Sequence, residues 1–257
     1  VLPESELEMA RKAMSENQYR QEFLCDFSAS SEDVLISLDL AQDASSKTYH
    51  NSVYMHAPLI MGLDVARFGD DKSVFIYRRG IVAYGLSKVR DYDTMRLADL
   101  AAAKITHDKP DGVFVDEVGI GAGVIDRLRQ LGFKISSVNG GSKASDENAY
   151  LNKRAETWVK MRDWLKDGGA IPDDQELKSD LVSLRYSYDN RQRYVLEKKE
   201  DMKKRGLPSP DCADALAMTF AYPVHAKTEL DIQQERFDTS AEDYDPLHAY
   251  RGSKKWR

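Results

Sequence analysis

Pro58-Leu59-Ile60-Met61-Gly62-Leu63-Asp64-Val65-Ala66 is an apolar run interrupted by a single carboxylate. Continuous apolar character over this length predicts a strand covered on both faces rather than one with a wet side. Asp is disfavoured in such a strand, and a buried carboxylate loses much of its hydration unless a cation or strong donors replace it. The plain alternative is a structural Asp held by backbone N–H groups or by the nearby Arg67.

Working outward, the turn at 68–72 leads into strands at 74–77 and 81–84, so three strands arrive as a meander. A helix follows over 94–106, with Met95, Leu97, Leu100 and Ala101 on its apolar face. Gly112-Val113-Phe114-Val115-Asp116 is a second buried strand that ends on an acid. A Gly-rich turn, a helix over 123–131 and a strand over 133–138 then form a parallel crossover unit. The chain therefore predicts an α/β fold: a mixed β-sheet, antiparallel meander then parallel strands, flanked by helices. Helices are expected over 148–166 and 175–184, then a hairpin of 185–188 with 193–196 turning at Asp189-Asn190. Pro208-Ser209-Pro210 opens a last helix over 211–222, with Ser209 as N-cap and Pro210 in the first helical position. Residues 1–27 read as a helix, 28–51 as a connecting region, and the chain from Lys227 as polar and weakly ordered. This gives expected domains of 1–53, 54–226 and 227–257.

With 42% hydrophobic and 31% charged residues in 257, the composition is that of a globular protein with a sizeable core. No apolar run approaches the roughly 18 residues that span a bilayer. Cys25 and Cys212 are the only cysteines, which argues for a reduced compartment and against a disulfide scaffold or structural zinc. The start, Val1-Leu2-Pro3-Glu4, has no signal-peptide pattern, and without an initiating Met it reads as a fragment or a processed chain. The net charge of -6 lacks the basic signature of phosphate binding, although acidic ends can hide a local basic face. No H-x-x-H spacing, Ser-His-Asp set or P-loop occurs.

Three acidic stretches carry chemistry: Leu63-Asp64-Val65-Ala66, Val115-Asp116-Glu117, and Asp211-Cys212-Ala213-Asp214-Ala215-Leu216. Two strand-end carboxylates and one on a late helix suit a divalent metal and a metal-dependent nuclease. Asp116 stands where ligands gather in α/β sheets, beyond the carboxyl end of a strand; Glu117 reads as solvent-facing. The following Gly119-Ile120-Gly121-Ala122-Gly123 raises a dinucleotide site, but the spacing is wrong and two acids precede it. Those glycines are expected to let backbone clear the metal and substrate. Asp211 falls in a first helical turn, where the dipole alone favours it. Asp214 lies among small apolar residues and is the preferred third ligand. Asp71, in a Gly-Asp-Asp-Lys turn, is either an ordinary turn residue or a further ligand. Arg185, Arg191, Arg193, Lys198, Lys199, Lys203, Lys204 and Arg205 interleave with Tyr186, Tyr188 and Tyr194, as a DNA-contacting groove does, or form a solvated face. Lys153 and Arg154 could hold phosphate or cap helix charge.

Taken in order, Gly62-Leu63-Asp64-Val65-Ala66, Gly69-Asp70-Asp71-Lys72-Ser73, Val115-Asp116, Gly119 to Val124, Asn152-Lys153-Arg154-Ala155-Glu156 and Ser209-Pro210-Asp211-Cys212-Ala213-Asp214-Ala215-Leu216 form a specific set. Over about 55–225 it resembles the C-terminal nuclease domain of the tailed-bacteriophage terminase large subunit. The resemblance implies an RNase H-like fold and an endonuclease that cuts concatemeric viral double-stranded DNA during genome packaging. It implies an acidic cluster of Asp64, Asp116 and the Asp211/Asp214 pair; the mechanism expected of such a cluster uses two Mg2+ or Mn2+ ions, with Asp64 shared between them. Residues 1–50 resemble the end of the family's motor domain and its linker. The Walker motifs are absent, so packaging ATPase activity is not expected of this chain. The intact motor would meet portal protein and terminase small subunit at the procapsid, in the host cell cytoplasm, with no membrane contact. Competing readings are another RNase H-like nuclease, such as a junction resolvase, and a non-catalytic portal-docking module.

Overall fold

The structure, a computed structural model, describes residues 33–66 and 72–226. The expected helix over 1–27, the tail from Lys227, and Arg67 to Asp71 lie outside those residues. In chain order the elements are α1 (Leu38–Ser46), α2 (Asn51–Tyr54), β1 (Leu59–Asp64), β2 (Ser73–Arg79), β3 (Val82–Val89), α3 (Thr94–Asp108), β4 (Gly112–Asp116), α4 (Gly121–Gln130) and β5 (Ser136–Val138). Then follow α5 (Lys153–Lys166), α6 (Gln175–Ser183), β6 (Tyr186–Tyr188), β7 (Tyr194–Leu196), α7 (Lys199–Lys204) and α8 (Asp211–Met218).

Five strands form one sheet in the order β3-β2-β1-β4-β5, and β6-β7 is a separate hairpin. β1–β2 and β2–β3 pair antiparallel, whereas β1–β4 and β4–β5 pair parallel. The mixed sheet expected from the sequence is therefore present. Its apolar strands are explained by burial on both sides. Leu59, Met61 and Leu63 pack with Phe75, Val113 and Val115 against Leu97 and Ala101 of α3 and Val124 and Leu128 of α4. On the opposite face Ile60, Val74, Ile76 and Phe114 meet Trp158 of α5, Leu177 and Leu181 of α6, and Ala213 to Met218 of α8. The result is a three-layer helix–sheet–helix arrangement.

Side chains alternate across a strand, so Gly62 and Asp64 share the face of Ile60, and Asp116 shares that of Phe114. That face is the one α8 covers. A Cβ on Gly62 would lie inside contact distance of the Ala215 carbonyl oxygen, so only glycine lets α8 sit this close to β1. Further along, Arg78 donates to the Thr219 carbonyl at 2.7 Å, and Val224 fills the space beside Gly112. The chain after Asp211 thus runs antiparallel to β1, which brings the start of α8 to the carboxyl ends of β1 and β4.

Several expected bounds shift for local reasons. The helix expected from 148 starts only at Lys153, because Asn152 caps it and Tyr150 and Leu151 are drawn into pairing with Tyr194. The last helix ends at Met218, where i→i+3 hydrogen bonds at Thr219, Phe220 and Ala221 tighten the chain. The described part of the expected connecting region, from residue 33 on, does more than connect: Ser37 caps α1, and Ala41 and Ala44 are buried with Leu35 and Ile36 in the α8-side core. The short α7 was unforeseen. Among the described residues no helix is long and apolar enough to cross a membrane.

Gly62→Ala is expected to lower unfolding free energy by about 1–3 kcal/mol, since it forces α8 off the sheet. Chemical denaturation of both proteins measures this, and unchanged stability would mean that α8 does not rest on β1 as described.

Candidate active site

Asp64 closes β1 and Asp116 closes β4, and the two strands are parallel neighbours with Leu63 opposite Val115. Their carboxylates therefore leave the sheet side by side, on the face that α8 covers. Asp214 comes down from α8 to the same place. All three line one cavity of about 360 Å³, together with Arg154, Trp158 and Lys199. Asp211, one turn earlier on α8, is buried and does not line that cavity, although its charge acts on Asp64. The structure thus separates the two α8 acids that the sequence left as alternatives, with Asp214 facing the cleft.

The cluster is sharply divided in proton affinity. Burial pushes the Asp64 carboxyl well above the usual range; Lys199 opposes this, while Asp214, Asp211 and Asp116 add to it. Asp116 is also raised, first by burial, against an amide hydrogen bond from Val118 at 3.2 Å. Asp214 is the opposite case. Burial alone would raise it, but Lys199 and Arg154 outweigh that and hold it below its ordinary value. Lys199 Nζ lies 2.8 Å from Asp214 Oδ2, Arg154 Nε lies 3.6 Å from Oδ1, and Trp158 Nε1 donates to Oδ1 at 2.7 Å. The Lys199 ammonium is in turn raised, chiefly by Asp214 and then by Asp64 against its own burial. Environments that push neighbouring carboxylates apart in this way are typical of catalytic sites.

The donors fit a hard divalent cation in kind, being carboxylate oxygens with no nitrogen or sulfur among them. Asp64 is buried with acids around it, and Lys199 is the first cation to act on it. A divalent ion would supply positive charge where this cluster needs it. Spacing qualifies this. Among the described residues, no three His, Cys, Asp or Glu side chains are grouped closely enough to hold an ion, and Lys199 occupies Asp214. Asp71 lies outside the described residues. The Gly-rich run after Asp116 has a local purpose. A Cβ on Gly121 would collide with the carbonyl of Asp116 itself, so the glycine permits the tight strand-to-helix turn.

The basic residues divide. Lys153 is 3% exposed, and its ammonium donates to Glu156 and Ser145 Oγ, each at 2.8 Å. It also stands 4.9 Å over the Tyr222 ring. That corrects the expectation that Lys153 offers charge to phosphate: its side chain is part of the core. Arg154 does face the cleft, donating to the Glu197 carbonyl at 2.9 Å. Arg193 pairs with Asp189, Lys204 with Asp201 and Arg205 with Glu197, so much of the expected basic face is neutralised locally. Arg185 and Lys203 are exposed. Lys199 was expected in a DNA-contacting groove or on a solvated face; instead it is the cation at the centre of the acids. Its neighbours Glu197, Lys198 and Glu200 read as an ordinary charged face, so the sequence held no signal for this.

No family model and no curated protein matches the chain. Solved structures do. The nuclease domain of the large terminase subunit gp2 of bacterial virus Sf6 is similar at 21% identity and a TM-score of 0.63, covering 74% of this chain and 99% of that one. A lysine-to-alanine mutant of the Sf6 domain with manganese and β-thujaplicinol aligns with a TM-score of 0.65 at 21% identity over the same shares. The large terminase nuclease of thermophilic phage G20c with bound magnesium has a TM-score of 0.51 at 15% identity, covering 74% of this chain and 98% of that one. At these identities the likeness is one of fold: a mixed five-stranded sheet flanked by helices, RNase H-like in arrangement.

Metal-free stability tests the electrostatics. A carboxyl raised on folding contributes stability at low pH that is lost as pH rises above its unfolded value and through its folded one. Asp64→Asn is therefore expected to raise Tm at pH 8 by roughly 2–6 °C, with a smaller gain at pH 4, whereas Lys199→Met should lower it. Scanning calorimetry in EDTA measures both, and a destabilised Asp64→Asn protein at pH 8 would contradict the arrangement.

Proposed function

We propose that this chain is a metal-dependent endonuclease that cuts concatemeric viral double-stranded DNA during genome packaging, as the nuclease part of a terminase large subunit. One observation carries the reading. Asp64 and Asp116, at the carboxyl ends of adjacent parallel strands, face Asp214 across one cleft, on the fold shared with phage terminase nuclease domains.

Asp64, Asp116 and Asp214 are the proposed ligands and would have to close up around the ion, since they are not grouped closely enough to hold one as they stand; Asp211 is the next acid behind them and Asp71 the remaining candidate. The proposal takes Mg2+ or Mn2+, and two ions. When bound, such ions supply Lewis-acid activation of the attacking water and charge stabilisation of the departing oxygen. The protein's own groups do the rest. Asp64, whose proton affinity is raised most, must be ionised to serve as a ligand, so metal and proton compete for it. Lys199 stabilises Asp214 as a carboxylate beforehand, so that acid needs no deprotonation to serve as a ligand. Arg154 is the group best suited to the scissile phosphate. Its Nη2 is buried with no hydrogen-bond partner among the described residues, and its Nε has the 3.6 Å ion pair with Asp214 Oδ1 in place of a hydrogen bond. A buried donor left without an acceptor costs about 1–3 kcal/mol, and a phosphate oxygen arriving with the substrate relieves it bidentately. The exposed Arg185 and Lys203 would meet the flanking backbone. Portal protein and small subunit belong to the intact motor in the host cytoplasm and are part of the proposal only in that setting.

Cleavage of supercoiled plasmid with Mg2+, Mn2+ or EDTA tests this directly. Cutting with metal, none in EDTA, and none with Asp64→Asn are expected; metal-dependent cutting at the wild-type rate by Asp64→Asn would defeat it. Arg154→Gln is expected to lower kcat/KM roughly 100-fold, and Arg154→Lys to recover little, because a point charge does not replace a planar fork.

A further inference from the structure

α8 carries the cleft-facing acid, yet it begins without a cap of its own. The first N–H groups of any helix have no intrahelical acceptor. The residue at the capping position here is Pro210, which has no side-chain oxygen, and no local side chain caps the helix. The acceptor comes from elsewhere in the fold. Asp180, on α6, is 5% exposed, and its Oδ2 accepts from the amides of Cys212 at 2.9 Å and Ala213 at 3.4 Å. These two amides lie between Asp211 and Asp214 in the chain, in the one turn whose position decides where both carboxylates point.

We propose that Asp180 is a positioning residue for the nuclease site: from α6 it fixes the first turn of α8, and through that turn the placement of Asp214 and Asp211 opposite Asp64. The inference rests on the metal-dependent nuclease reading. A negative charge at Asp180 is a disadvantage in itself. Burial pushes its carboxyl up to about 7, and Asp211 and Asp214 add to that, against the two amides. What recommends the residue is the acceptor oxygen at that distance from α8. Asn presents a comparable oxygen without the charge. Groups that orient metal ligands from behind alter metal affinity by about 10–100-fold when removed.

The test uses the full chain and four proteins: wild type, Asp180→Ala, Asp180→Asn and Leu177→Ala. Leu177 is fully buried on the same helix, so its truncation loosens α6 without touching the amides of α8. Mn2+ binding by titration calorimetry, the Mn2+ concentration for half-maximal plasmid cleavage, and Tm are measured for each. Asp180→Ala is expected to bind Mn2+ at least ~10-fold more weakly and to need correspondingly more of it for cleavage. Asp180→Asn should stay within about 2-fold of wild type, and Leu177→Ala should lose Tm but keep its Mn2+ affinity. Unchanged affinity in Asp180→Ala, or an equal loss in Leu177→Ala, overturns the proposal. Should Asp180→Ala fail to fold, Asp180→Ser, whose oxygen falls short of the amides, is judged by the same thresholds. A wild-type chain that neither binds Mn2+ nor cuts would defeat the nuclease reading itself; wild-type activity with indifferent Asp180 variants defeats this inference alone.

Discussion

The close approach of α8 to β1 is the constraint on which the rest of the site depends. A carbonyl of the helix rests where a side chain of the central strand would otherwise be, and Gly62 alone makes room for it. Because α8 crosses β1 antiparallel, that contact also fixes which end of the helix meets which end of the strand. The acids of α8 are delivered to the carboxyl ends of β1 and β4 as a consequence of packing. The chemistry of the cleft is inherited from a backbone contact two residues before Asp64.

Placing those carboxylates together creates an electrostatic problem that the protein resolves unevenly. Lys199, Arg154 and Trp158 all converge on Asp214, whereas among the described residues Lys199 is the cation that opposes burial and three acids at Asp64. One carboxylate is therefore kept charged while its neighbour across the cleft is encouraged to keep a proton. Carboxylates pushed apart in this way are a feature that marks candidate functional sites. The acidic net charge also conceals cations that composition does not reveal, because Lys199 and Arg154 face the cleft.

Much of this was legible in the sequence, and what was not has a common cause. The strands announced themselves because burial on both faces removes polar alternation, and Asp64 and Asp116 stood out as charges in runs that otherwise excluded water. Helix periodicity went far as well: the helices expected over 94–106 and 175–184 are present as α3 and α6. The failures concern residues whose meaning comes from a distant partner. Lys153 reads as a surface cation until Glu156, Ser145 and Tyr222 are seen around it. Asp180 sits mid-helix between Ser179 and Leu181 with nothing nearby to announce that it serves α8. Lys199 belongs to a short helix whose only buried residue is Met202, too brief to show a period. Ser209 looked like a cap, but the turn placed Pro210 there instead and recruited the acceptor from α6.

The Lys153–Glu156 pair has a consequence for how sequences like this one can change over generations. Glu156 is 1% exposed and binds Lys153, Lys160 and the Ser145 amide, tying the loop before α5 to the helix itself. Removing one partner of a buried pair strands the other and costs about 3–5 kcal/mol, whereas replacing both with well-packed apolar residues is often neutral. Each position is therefore locked while its partner remains, and an exchange of the pair has also to provide for the Ser145 amide that Glu156 accepts from. Drift at these two sites must cross an unstable single-change intermediate or proceed in one concerted step. Lineages that have made the exchange should carry apolar residues at both places, and mixed combinations should be rare.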